Sequence, residues 1–343
     1  MRNPFLTLIA LLCLTASSLA ADPSATLIDV RRIWDAAPHN AFTDLIRFGD
    51  QWLCTFREGT GHVPGRDGVI RVLRSDDGAK WESAAVLTEA GIDLRDPKLS
   101  IAPDGRLMLL MGGSVYGGAE GQRKLLNAHT RVSFSKDAKT WTAPQPVSLP
   151  DREWLWRVTW LDEVGYGVAY SHGVADKDFL VHLWRTRDGV NYERVAQLKP
   201  PCWANETTLR FLPDRTMLAL VRGEQPDRHA FLGTSLPPYT QWTWVDTGRA
   251  AQGPNFLRLP DSRLIYAGRD FANGARTVVG ELRDNRCLPL LTLPSGGDCS
   301  YPGLVWHENT LWVSYYSSHE AKTAIYLARL RLPTPETSPV RQN

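Results

Sequence analysis

Apolar and polar positions alternate along most of the chain in short runs. Pro-Asp, Gly-Asp or similar turns break them, as in AFTDLIRFGDQWLCTF, PKLSIAPDGRLMLLMG and WRVTWLDEVGYGVAYS. Period-two alternation on both sides of a tight turn predicts an antiparallel hairpin with one face buried. Three further copies, ETTLRFLPDRTMLALV, NFLRLPDSRLIYAG and YPGLVWHENTLWVSYY, bring the count to six, and helical periodicity is nearly absent. Anchored on Leu45, Leu99, Val158, Leu209, Leu257 and Leu304, the unit recurs about every 50 residues.

That period predicts an all-β, six-bladed propeller of four-stranded antiparallel blades. A β-sandwich would not require so regular a long repeat. A second motif falls between the hairpins: SDDGAKW (Ser75 to Trp81), SKDAKTW (Ser135 to Trp141) and TRDGVNY (Thr186 to Tyr192). In each, an Asp can accept backbone N–H bonds of its own turn. A Gly or Ala follows for the left-handed step, and an aromatic covers the blade. These aspartates read as structural. SLPPYTQW, Ser235 to Trp242, reads as a degenerate fourth copy.

Composition narrows the function classes. A net charge of +2 over 343 residues argues against nucleic acid or a membrane surface as partner. Thirteen Trp supply area for sheet cores or stacking faces for sugars. Arg2, the apolar run PFLTLIALLCLTA and the small residues SLA-A form an export-signal pattern over residues 1–21. The run is too short to span a bilayer comfortably, so the expected location is secreted or periplasmic, with no membrane insertion after cleavage. The propeller is expected over residues 22–333, and 334–343 as a Pro-rich polar tail. Cys54, Cys202, Cys287 and Cys299 then face an oxidising compartment, with three possible pairings. Cys287 and Cys299 are close enough in sequence to bridge a hairpin. No nucleotide loop, zinc motif or calcium loop is present, and His62, His172 and His319 lack ligand spacing, so neither cofactor nor metal is expected.

In a blade, the start of the first strand and the end of the second meet at one face of the disc. Polar residues there are pocket candidates: Asn40, Arg95, Asp96, Arg157, Asn205, Glu206, Asn255, Asp298 and Tyr301 at starts, Arg57, Glu58, His172, Arg222 and Arg269 at ends. Arginine forks suit bidentate recognition of a sugar acid.

The repeated Ser-x-Asp-Gly-x-x-Trp turns on a six-bladed pattern resemble the Asp boxes of the sialidase (neuraminidase) superfamily. The copies here are one residue shorter than the commonest form. Within that resemblance, WANETTLRFLPDRTMLALVRGE is similar to the segment holding the assisting glutamate and a carboxylate-binding arginine, which implies Glu206 and Arg222. GGDCSYPGLVW is similar to the nucleophile segment, which implies Tyr301. GRDGVIRVLRSDDGAKW implies Asp67 as acid/base, and NGARTVVGEL implies Arg276 as a further arginine of the carboxylate-binding triad. The chemistry is coherent: a carboxylate nucleophile would meet the substrate's own carboxylate, whereas a phenol assisted by a base does not.

The first-blade Arg-Ile-Pro signature of sialidases is missing. HNAFTDL stands there, with Asn40 near the arginine position, leaving Arg57 and Arg95 as substitutes between which the sequence does not choose. The chain therefore resembles a divergent branch. Three readings follow: a retaining exo-sialidase-like hydrolase acting on sialylated or related acidic glycans, a hydrolase or lyase for another acidic glycan, and a non-catalytic glycan-binding propeller.

Overall fold

Each predicted hairpin forms and is extended by two more strands, because a strand with one apolar face needs a neighbour to complete its ladder. The computed structural model describes residues 24–334 except 64, 120 and 121. The export-signal pattern lies outside the described residues, as does the tail beyond residue 334. Six four-stranded antiparallel sheets make six blades. Their innermost strands are His39–Phe48, Asp93–Ile101, Glu153–Leu161, Ala204–Phe211, Gln252–Arg258 and Cys299–His307. Blades 1 to 5 are each built from consecutive strands. Blade 6 takes its outermost strand from the other end of the chain: Thr26–Trp34 pairs antiparallel with Ala324–Arg331 and closes the ring.

The cores lie between faces of neighbouring blades. Leu53, Ile70 and Val72 of blade 1 meet Leu94, Leu99, Leu107 and Leu109 of blade 2, all nearly solvent-free. Nearer the axis, Arg157 of blade 3 donates two hydrogen bonds, 2.8 and 3.0 Å, to Asp44 of blade 1. Asp44 also accepts the Leu99 amide of blade 2 at 2.8 Å. The buried carboxylate is thus paired and hydrogen-bonded, as burial demands.

The aspartate turns form as read. Asp77 accepts the amides of Ala79 and Lys80 at 2.8 and 2.9 Å, Asp137 those of Lys139 and Thr140 at 2.9 and 2.7 Å, and Asp188 those of Val190 and Asn191 at 2.8 and 2.7 Å. Gly78, Ala138 and Gly189 take the left-handed step. In the degenerate copy Tyr239 takes it, and Trp242 Nε1 donates to the Tyr239 carbonyl at 3.0 Å, as Trp141 does to Ala138. These turns join third to fourth strands, so antiparallel geometry puts them on the disc face opposite the starts of the inner strands.

The cysteine expectation fails. All four are free thiols. Cys287 lies on the outermost strand of blade 5 and Cys299 on the innermost strand of blade 6. The residues between them cross from rim to axis rather than turn a hairpin.

Candidate active site

Every innermost strand carries an irregularity at the same level, where two residues oppose one on the second strand. The bulged pairs are Phe42-Thr43, Asp96-Pro97, Trp156-Arg157, Asn205-Glu206, Gly253-Pro254 and Tyr301-Pro302. Bulges re-aim side chains and unpair ladder groups. Neighbouring blades satisfy several carbonyls thus freed: Thr43 Oγ1 donates to Tyr301 O at 2.7 Å, Thr208 Oγ1 to Pro254 O at 2.7 Å, and Asn255 Nδ2 to Pro302 O at 3.0 Å. Phe42, Asp96 and Tyr301 have positive φ, a strained state for side-chain-bearing residues. Held this way, Phe42, Asp96, Glu206 and Tyr301 face one open cavity of about 270 Å³. Larger grooves, of about 360 and 460 Å³, lie among the aspartate turns on the other face.

At the cavity floor the Tyr301 hydroxyl donates to Glu206 Oε1 at 2.6 Å. Arg222 Nη1 donates to Glu206 Oε2 at 2.8 Å and lies 3.0 Å from the Tyr301 oxygen. Its other terminal nitrogen pairs with Glu224, which in turn accepts from Asn205 and Gln252 at 3.0 and 3.1 Å. The Gly253 amide donates to Glu206 Oε2 at 3.1 Å. Gly253 is required twice over: its φ is +64°, and a Cβ there would sit 2.9 Å from the Tyr301 ring. Phe42 and Trp156 flank the phenol at ring distances of 5.1 and 5.5 Å.

Burial pushes the Tyr301 phenol well above its ordinary value. Glu206 adds to the rise, while Arg222 and Arg269 oppose it. The resting group is therefore a phenol with its proton acceptor already in contact. Burial likewise raises the Asp96 carboxyl, against the pull of Arg95 and Lys98. Lys98 lies 5.8 Å from the Tyr301 ring centre, and burial lowers its ammonium to about 8. His172 borders the cavity, and burial with Arg95 nearby lowers it to about 4, so it stays a neutral imidazole near neutrality.

The other sequence candidates separate. Arg95 lines the cavity, 3.3 Å from the Tyr116 hydroxyl. Arg57 does not. It is wholly buried as a strut, donating to Asp93 at 2.8 Å and to the Gly61 carbonyl at 2.9 Å. Asp67 does not line the cavity either: on the loop after residue 59 it accepts Arg123 at 2.6 Å. Arg276 does not line the cavity: its guanidinium donates to the Ala275 carbonyl at 3.0 Å and lies beside Gly296. Arg269 stands where a further cation was expected, 5.8 Å from the Tyr301 ring centre. Its guanidinium has no hydrogen bond or ion pair among the described residues and does not itself line the cavity. Asp96 and Arg269 both belonged to the strand-end selection but carried no role. A visible signal for Asp96 was Asp-Pro at the repeat position of Gly253-Pro254 and Tyr301-Pro302.

No protein-family profile and no curated protein matches the chain. Solved structures do. A protein of unknown function from Dyadobacter fermentans superposes with TM-score 0.78 at 18% identity, over 91% of this chain and 100% of that one. The α-L-arabinofuranosidase Arb93A of Fusarium graminearum gives 0.65 at 14%, over 89% and 98%. Trypanosoma rangeli sialidase gives 0.62 at 10%, over 91% of this chain and 60% of its own. The chain has a sialidase-like propeller fold. At such identities the likeness establishes the fold alone, and the propeller is shared by sialidases and an arabinofuranosidase.

Proposed function

We propose that the protein is a retaining glycoside hydrolase acting on a terminal sialic acid or a related acidic sugar in an exported compartment. One observation carries the reading: Tyr301, Glu206 and Arg222 are in mutual contact at the floor of an open cavity. The Tyr301 oxygen attacks the anomeric carbon as its proton passes to Glu206 Oε1. The leaving oxygen takes a proton from an acid on the cavity wall, and Asp96 is the group placed for this. Burial raises its carboxyl above the ordinary value, the direction a general acid requires. Water, deprotonated by the same carboxylate, then cleaves the glycosyl–tyrosine bond. Arg95, on the cavity wall, supplies positive charge for a substrate carboxylate, and Arg269, behind the Tyr301 ring, adds to the local positive field.

A second reading, another glycan on the same chemistry, is favoured by the loss of Arg57 to its strut and by Arg276 lying off the cavity, which leaves fewer free guanidinium groups than a triad. Fluorogenic sialosides, uronides and arabinofuranosides tested in parallel separate the two. Turnover of one class, falling at least about a thousandfold in Tyr301→Phe, is the expected result. A mechanism-based fluorosugar of that class should leave an intact-mass adduct that maps to Tyr301. Glycan binding without turnover, unchanged in Tyr301→Phe, would make the protein a binding module instead.

A further inference from the structure

His39, His62 and Asp298 are far apart in sequence and together in space. They come from the start of the innermost strand of blade 1, the loop after residue 59, and the turn entering blade 6. Asp298 Oδ2 lies 3.0 Å from His39 Nε2 and 2.9 Å from His62 Nδ1. One donor atom from each residue falls within 4.8 Å of the other two.

The carboxylate is held from behind. Tyr316 donates its hydroxyl to Asp298 Oδ1 at 2.7 Å, the Asp298 amide donates to Ser318 Oγ at 2.9 Å, and the Ser318 amide donates to the Asp298 carbonyl at 3.0 Å. The opposite nitrogen of His39 is buried without a partner. One carboxylate oxygen thus serves two imidazoles, as a hydrogen-bonded network also allows. Two imidazole nitrogens and a carboxylate oxygen are, however, the donor set of a borderline divalent cation, and the tyrosine hydroxyl supplies the outer-shell bond that orients a ligating carboxylate. Ligands at about 2.0–2.1 Å around a tetrahedral ion stand about 3.3 Å apart, a few tenths of an ångström more than the contacts here.

We propose that His39, His62 and Asp298 bind one divalent transition-metal ion of the zinc class at the mouth of the cavity. The open position faces solvent beside His62, whose side chain is 48% exposed. The ion ties the His62 loop to blade 6, and His62 packs edge-on at 5.1 Å against Phe42, the neighbour of Tyr301. The site stands on its own geometry, independent of the hydrolase reading.

The test uses the chelator-stripped full chain titrated with cobalt(II), then with zinc as competitor. Expected is one equivalent of cobalt with the visible absorption of a four- or five-coordinate site, displaced by zinc. Affinity should fall at least about tenfold in both His62→Ala and Asp298→Asn. His62 is exposed, so its variant should melt as the parent does when metal-free and decides the matter even if Asp298→Asn is unstable. No visible band, or affinities unchanged in His62→Ala, would overturn the proposal.

Discussion

Asp96 and Asp67 show how much a single side chain's surroundings matter. Both are aspartates near the same disc face, but one borders the cavity with a raised carboxyl and the other is paired with Arg123. If Asp96 is the proton donor, Asp96→Asn should cost most for substrates with poor leaving groups and little for activated aryl glycosides, because only the former need protonation. Asp67→Asn should leave both rates within about threefold. Steady-state rates on a leaving-group series check this, and a leaving-group-dependent loss in Asp67→Asn but not in Asp96→Asn would return the role to Asp67. Gly253 makes the complementary point: it contributes by lacking a side chain, since any Cβ would displace the Tyr301 ring.

Strands and bulges set where side chains point. The innermost strand of blade 2 buries Lys98, with Nζ 4.4 Å from the centre of the Trp156 ring and donating to the Pro97 carbonyl at 3.2 Å. Its folded value is about 8 against an ordinary 10.5. Between those values the unfolded chain holds a proton that the folded chain has released, so stability rises with pH across that window. Below pH 8 both states are charged and the full cost of burying the ammonium is present. Lys98→Met should therefore be more stable than the parent at pH 7, by about 1–3 kcal/mol, with the gap closing toward pH 10.5. Urea melts of both proteins at pH 7, 8.5 and 10 check it; a parent already the more stable at pH 7 would show that the cation–π contact outweighs desolvation.

At the level of the whole ring, one strand is decisive. Thr26–Trp34 completes blade 6, and Asp29 accepts two hydrogen bonds from Arg329, one of them at 2.9 Å. Removing Thr26–Trp34 exposes the edge of Ala324–Arg331 and opens the blade that carries Tyr301. A chain lacking residues 24–34 should lose its cooperative thermal transition or self-associate, read by calorimetry and size-exclusion chromatography. An unchanged melting temperature would mean that the ring holds without its closing strand. The closure also holds the site together: Tyr301 and Glu206 stand two blades apart, and only a complete circle keeps them 2.6 Å apart.

Much of this molecule is written locally. Period-two alternation, turn residues and a repeat of about 50 residues specify strands, hairpins and six blades, because each depends on neighbours within a few tens of residues. The aspartate turns and the candidacy of Tyr301, Glu206 and Arg222 were legible for the same reason: motif and strand end sit side by side. Which arginine faces the cavity, which aspartate borders it, whether two cysteines meet, and that His39, His62 and Asp298 share a corner were settled only in three dimensions. Those outcomes depend on bulge geometry and on radial distance between blades, and neither quantity leaves a periodic trace along the chain.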